Sequence, residues 1–191
     1  MKGVICIGAN LGQELEGWLS LGINDFMLFE PVKSTFLKLL RITENKPGDI
    51  KLYNLALGNM TGKVEMNVET CHQGKSSSIL EPFLHLEQYP DIIFERKEIV
   101  SIDKLDNIEY DRVLYDKLHI DTHGYELEIL RGAENSLNFI NEITIEVYRE
   151  ELYKGCPMYE EVTDFLYEKG FDVEDIFWRG LSWGDCKLKR R

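Results

Sequence analysis

Asp121 and His123 lie two residues apart in Ile120-Asp121-Thr122-His123-Gly124, and Glu146 lies inside Ile143-Thr144-Ile145-Glu146-Val147. A carboxylate next to an imidazole suits the removal of a proton from a weakly acidic hydroxyl, because an unperturbed histidine titrates near pH ~6.5. An unpaired carboxylate inside an apolar strand is costly, so Glu146 is expected either to pair with a cation or to reach a polar pocket. Asp121, His123 and Glu146 are therefore the candidate catalytic residues. Asp121 and Glu146 also offer the oxygen ligands that a divalent metal favours. The spacing shows no third ligand, and no metal is predicted. Each residue has a plainer reading as well: Asp121 as the N-cap of a helix opening near Gly124, His123 as an exposed loop residue, and His119 as a packed histidine. Glu126 and Glu128 fall on the helix that follows, with Glu126 placed to orient the Asp121 loop.

A second constellation sits at the other end of the chain. The apolar run Val4-Ile5-Cys6-Ile7 leads directly into Gly8-Ala9-Asn10-Leu11-Gly12, and a helical pattern starts around Gln13. A buried strand, a glycine turn and a helix, in that order, build a nucleotide-type cofactor site. Phe26-Met27-Leu28-Phe29 is a second such run and ends in Glu30-Pro31. An acidic residue about 20 positions past the turn accepts hydrogen bonds from both hydroxyls of an unphosphorylated ribose. Dinucleotide sites read G-x-G-x-x-G, whereas here only Gly8 and Gly12 are present, which favours a cofactor without a pyrophosphate. S-adenosylmethionine (SAM) fits better than NAD. Gly8, Ala9, Asn10 and Gly12 are expected at its amino-acid end, Glu30 and Pro31 at the ribose, Ala56 and Leu57 at the adenine, and Ser78 or Ser77 at the ligand, with Asp121 facing both cofactor and acceptor.

Strand and helix patterns that alternate along the chain must position these groups, which predicts a parallel sheet with helices on both faces. The expected strands are Val4–Ile7, Phe26–Phe29, Lys51–Leu57, Tyr115–Asp121 and Glu142–Val147, with Val64–Val68 at an edge. The helices turn Leu15, Trp18 and Leu19, then Phe36, Leu39 and Leu40, then Leu127, Leu130 and Leu137 towards the sheet. Met158–Lys169 is a last amphipathic helix, and Phe171–Arg179 with Trp183–Arg190 forms an antiparallel hairpin around Gly180. The stretch from Glu69 to Lys97 has no clear period, and residues 71–98 read as a lid or acceptor-binding insertion.

At 191 residues the chain suits one domain with a sizeable core, residues 1–191. A first strand that starts almost at Met1 suggests a domain cut from a larger polypeptide, with other domains as partners, or a minimal version. A formal charge of −12 argues against nucleic acid and anionic membrane as partners, since both need a cationic face. Cys6, Cys71, Cys156 and Cys186 follow no zinc spacing and read as reduced thiols, and with no signal peptide evident a cytoplasmic location is expected.

Several motifs occur in a fixed order: Gly8-Ala9-Asn10-Leu11-Gly12-Gln13, Phe29-Glu30-Pro31, Asn54-Leu55-Ala56-Leu57-Gly58, Ser76-Ser77-Ser78, Ile120-Asp121-x-x-Gly124-Tyr125-Glu126-Leu127-Glu128 and Ile143-Thr144-Ile145-Glu146-Val147. Together, from Val4 to about Phe171, they resemble the FkbM-type SAM-dependent methyltransferases. The resemblance implies a Rossmann-like class I methyltransferase fold, an α/β structure with a mostly parallel seven-stranded sheet and a C-terminal antiparallel hairpin. It also implies O-methylation of a sugar or glycan hydroxyl, with a carbohydrate acceptor as partner. His119 and His123 depart from the family pattern, which more often shows a lysine at the first position and an acidic residue or glutamine at the second. The alternatives are an NAD-dependent sugar-modifying enzyme and a non-catalytic cofactor-fold module that binds a partner or glycan.

Overall fold

The structure is a computed structural model describing residues 2–191. In chain order the described strands are β1 (Gly3–Ile7), β2 (Asp25–Phe29), β3 (Asp49–Tyr53), β4 (Ala56–Leu57), β5 (Gly62–Val68), β6 (Arg96–Asp103), β7 (Tyr115–Ile120), β8 (Glu142–Tyr148), β9 (Phe171–Trp178) and β10 (Trp183–Arg190). The α-helices are α1 (Leu15–Ser20), α2 (Lys33–Thr43), α3 (Leu84–Gln88), α4 (Glu126–Arg131) and α5 (Tyr159–Glu168).

Seven strands form one sheet in the order β3-β2-β1-β7-β8-β10-β9. β1 is buried along its whole length and pairs in parallel with β2 on one side and β7 on the other. This is the reason its sequence is a continuous apolar run: a central parallel strand has no solvent face. β10 runs antiparallel to both β8 and β9, so it alone runs against the rest of the sheet. The strand order reverses between β1 and β7, and the carboxyl ends of that pair are where an open α/β sheet binds its ligand.

Alternate residues separate the two faces. Ile5, Ile7, Leu118, Ile120, Ile143 and Ile145 pack with Ile129 and Leu130 of α4 and with Val162 and Leu166 of α5. On the opposite face Val4, Cys6, Phe26 and Leu28 pack with Leu15 of α1 and Leu39 of α2. The register continues that second face from Cys6 to His119, Thr144 and Lys187, and through Glu146 to Asp185 and Phe177. These residues are mostly polar and form part of the wall of a wide cavity, so this end of the face is not closed by helix packing.

The structure corrects several expectations. Lys51–Leu57 is not one strand, because the chain leaves the main sheet after Tyr53 and β4 joins a separate three-stranded sheet, β4-β6-β5. The Asn54 side chain causes the break by donating to the carbonyls of Glu30 and Pro31, at 2.9 and 2.8 Å. Val64–Val68 belongs to this small sheet and not to the edge of the large one. β6 had no counterpart in the sequence reading; Arg96 to Glu98 begin it with charge, and only Val100 and Ile102 are buried. On α2 the inward residues are Thr35, Leu39 and Thr43, while Leu40 is exposed, because Pro31 and Val32 set the start of the helix and hence its phase. Leu137 lies on a separate 3-10 turn, Ser136–Phe139, since α4 ends at Gly132. No helix among the described residues is long and apolar enough to cross a membrane.

Asn54→Ala is expected to lower stability by about 1–2 kcal/mol, because two buried carbonyls lose their donor. Urea denaturation followed by circular dichroism measures this loss, and a change below the error of that method would show that the break in β3 does not depend on Asn54.

Candidate active site

The β1–β7 switch point is built on a close backbone approach. Gly8 adopts φ +83°, and a Cβ there would lie 1.8 Å from the carbonyl oxygen of Asp121. No side chain fits in that space, so glycine is required. The Gly8 and Ala9 amides donate to the Phe29 carbonyl at 3.0 and 2.9 Å, and the Asp121 amide donates to Ile7 at 3.0 Å. The ends of β1, β2 and β7 thus meet at one point.

Glu30, 5% exposed, sits at the end of β2. One of its oxygens accepts from the Asn10 amide at 3.0 Å and the other from the Val32 amide at 2.8 Å. Burial pushes its carboxyl up to about 7, against the lowering effect of those two amides. Gly8, Asn10, Glu30, Pro31, Ala56, Leu57 and Asp121 all line a narrow inner cavity of about 50 Å³. Three expected contacts do not: Ala9 packs into the core beneath α1, Gly12 sits against Leu39, and Ser78 is fully buried. The Ser78 hydroxyl instead donates to the His123 carbonyl at 2.6 Å and accepts from the Leu80 amide at 3.0 Å, while its neighbour Ser77 reaches the cavity. Phe29, Met66, Ile79 and Tyr125 complete the apolar wall. Met66 and Ile79 come from segments whose approach to the switch point depends on β6, so nothing in their local sequence marks them.

Asp121, His123 and Glu146 converge at the other side of Gly8. His123 Nδ1 is 3.0 Å from Glu146 and 3.4 Å from Asp121 Oδ1, and its Nε2 hydrogen-bonds the Lys75 carbonyl. The imidazole lies parallel to the Tyr153 ring, with centroids 6.0 Å apart. The Tyr148 hydroxyl donates to Glu146. Glu126, fully buried, accepts from the Thr122 amide and hydroxyl, each at 3.0 Å, and from the Gly124 amide at 2.9 Å. It therefore fixes the turn that carries His123, whose own φ is +58°. Three carboxylates surround a single imidazole.

The electrostatics follow from that imbalance. Burial pushes His123 down, but the Glu146 and Asp121 carboxylates outweigh it and hold the imidazole up at about 10. Burial, then the charge of Glu146, raise Asp121 well above the usual carboxylate range, and the same two causes bring Glu126 to about 7. A histidine with that pKa is already protonated at neutral pH and has no proton vacancy to offer. His119 is edge-on to Trp18 at 5.5 Å, the packed role foreseen for it.

An outer cavity of about 780 Å³ shares Gly8, Asn10, Lys75, Asp121 and His123 with the inner one. Its floor is the open sheet face, with Thr144, Glu146, Asp185 and Lys187, and its rim carries Tyr89, Phe177 and Trp183.

A seven-stranded sheet with one reversed strand and its ligand site at the β1–β7 switch point is the class I SAM-dependent methyltransferase fold. Solved structures agree at the level of fold. Ribosomal protein L11 methylase from Lactobacillus delbrueckii subsp. bulgaricus superimposes with a TM-score of 0.56 at 11% identity, covering 100% of this chain and 70% of that one. M. capricolum TrmK in complex with S-adenosyl-homocysteine does so with 0.52 at 9% identity, covering 100% and 62%. Residues 7–173 match the Methyltransferase FkbM domain, and the chain belongs to that family of methyltransferases. A curated relative, the 2-O-methyltransferase NoeI of Sinorhizobium fredii, is 26% identical over 97% of this chain and 78% of its own length. Membership leaves the NAD-dependent alternative without support.

The cavity chemistry fits SAM: a glycine cradle that a Cβ would fill, a buried carboxylate for the ribose and an apolar wall for the adenine. In the ribose role expected of it, an ionised Glu30 would accept both hydroxyls, whereas a protonated one would not. With its carboxyl raised to about 7, SAM affinity should fall by up to about tenfold per pH unit below that value. Glu30→Gln should be weaker at pH 8 and flat with pH. Calorimetry between pH 5.5 and 8.5 tests this, and a wild-type affinity with no slope in that range would remove Glu30 from the ribose role.

Proposed function

We propose that this enzyme transfers the methyl group of SAM to a hydroxyl of a sugar or glycan. The observation that carries the reading is a cluster of carboxylates around one imidazole, lining a narrow cofactor pocket on one side and a wide polar cavity on the other. Bound SAM supplies an electrophilic methyl group. The chain's own task is to align an acceptor hydroxyl with it and to take the proton.

Asp121 is the proton acceptor, since it lines both the cofactor pocket and the wide cavity, while both ring nitrogens of His123 are already engaged by Glu146 and the Lys75 carbonyl. His123 faces both carboxylates through Nδ1 and positions Asp121. Glu146 fixes His123, and Tyr148 fixes Glu146. Gly8 and Asn10 serve the amino-acid end of SAM, Glu30 and Pro31 the ribose, and Ala56 and Leu57 the adenine.

Three features favour a carbohydrate acceptor. The outer floor offers Thr144, Asp185 and Lys187 as hydrogen-bonding groups, and its rim offers exposed aromatic faces, Phe177 above all at 63% exposure. A net charge of −12 suits an uncharged polyhydroxyl better than a polyanion. The NoeI name specifies 2-O-methyl transfer in a relative.

Residues 71–98 act as the lid. Lys75 and Ser76 are tied by their carbonyls to His123 and to the Tyr153 hydroxyl, the latter at 3.0 Å. An inner cavity of about 50 Å³ is well below the roughly 300 Å³ of a ligand site, so Gly74–Ser77 must lift for SAM to enter. The four cysteines are all free thiols, which favours a reducing, cytoplasmic setting.

Labelled SAM incubated with a panel of neutral oligosaccharides should label at least one of them, with the methyl recovered as an ether after hydrolysis. Asp121→Asn should reduce kcat by about 10²- to 10⁴-fold while SAM affinity changes only a few-fold. Transfer to RNA or protein but to no glycan would overturn the acceptor class, and an unchanged kcat would remove Asp121 from proton transfer.

A further inference from the structure

The hydrogen bonding of His123 poses a chemical question. A ring nitrogen facing a carbonyl oxygen must carry a proton, so the Lys75 carbonyl places N–H on Nε2. The other nitrogen, Nδ1, then faces two carboxylates, Glu146 at 3.0 Å and Asp121 at 3.4 Å. A bare lone pair in that position is repelled by both. Only a cation shared by all three groups resolves the contact: a proton on Nδ1, or a metal ion.

We propose that Asp121, His123 and Glu146 form a binding site for a divalent first-row metal such as Mn²⁺, at which the acceptor hydroxyl is activated. The inference rests on the methyltransfer reading above. Their ligand atoms all lie within 4.8 Å of one another, close enough to share one ion. Asp121 Oδ1 is buried and has no hydrogen-bond partner, an unmet need that a metal would satisfy. The surrounding groups match those that orient metal ligands: a backbone carbonyl on the far nitrogen of His123 and a tyrosine hydroxyl on Glu146. Charge agrees as well. Two carboxylates with an imidazolium keep a net negative charge in a buried place, whereas two carboxylates with a neutral imidazole and a divalent ion sum to zero.

One imidazole with two carboxylates suits Mn²⁺, Fe²⁺ or Zn²⁺ better than Ca²⁺, which takes oxygen ligands alone. The Asp121 side chain is partly exposed, and all three residues line the outer cavity, so an ion held by them would be open to an acceptor hydroxyl there. Such an ion would make a bound acceptor hydroxyl more acidic, and the Asp121 carboxylate would be placed to take its proton. Glycan rings with adjacent hydroxyls would chelate such an ion.

The test uses protein stripped with a chelator and titrated with Mn²⁺, followed by calorimetry and by loss of the free-ion resonance signal. One saturable site is expected, weakened at least tenfold in Glu146→Gln and in His123→Ala, with circular dichroism showing that each variant folds. The wild-type protein loaded with Co²⁺ should show the visible absorption of mixed nitrogen and oxygen ligation, a readout independent of any variant. Glu69, Cys71 and His72 form a second cluster able to hold an ion, so Cys71→Ser with His72→Ala serves as the control and should leave binding unchanged. No saturable binding of Mn²⁺ or Zn²⁺ below millimolar concentration, or binding lost only in that control, overturns the proposal. SAM calorimetry on the same samples separates the two readings: SAM binding without metal binding defeats this inference alone, and metal binding without methyl transfer to any acceptor defeats the functional reading alone.

Discussion

The surplus of buried negative charge around His123 is the constraint on which the rest of the site depends. Asp121, Glu126 and Glu146 come from the end of β7, the start of α4 and the middle of β8, and one imidazole must answer all of them. Buried carboxylates without a counter-charge are costly, so the position of that ring is fixed by energy as much as by sterics. Glu126 meets the constraint differently, through amide and hydroxyl donors, and in doing so shapes the turn that delivers His123. The His123 ring also meets the Lys75 carbonyl, and the His123 carbonyl accepts from the Ser78 hydroxyl. His123 therefore links the sheet to the segment of residues 71–98.

The cofactor side follows a different logic. Gly8 lies against the Asp121 backbone, and Glu30 is held by two amides before any ligand arrives. This is preorganisation by backbone, and it depends on three strand ends meeting at the switch point. The acceptor side is open and polar, floored by side chains of β8 and β10. Division of labour between a tight backbone cradle and a broad side-chain floor is what lets one fold keep its cofactor while the acceptor varies.

Much of this was legible before the fold was known. β1, β2, β7 and β8 stand out because parallel strands buried on both faces need unbroken apolar runs, and Glu146 stands out because it interrupts one. Gly8 and Glu30 show through their order and spacing. β6 was missed, since a strand that opens with Arg96-Lys97-Glu98 and buries only alternate later residues resembles a loop until its partners β4 and β5 are known. The course of the chain after Tyr53 was misjudged for a related reason: Asn54 ends the strand with side-chain hydrogen bonds to residues more than 20 positions away.

By itself the sequence determined the class of sheet and the switch point and singled out Asp121, His123 and Glu146 as candidates, because each is encoded in local runs and short spacings. Tertiary structure alone decided what those residues are to each other. It set the His123 ring between two carboxylates and made Ser78 a structural anchor. Charge states and coordination depend on distances between groups far apart in the chain, and only the folded backbone sets those distances.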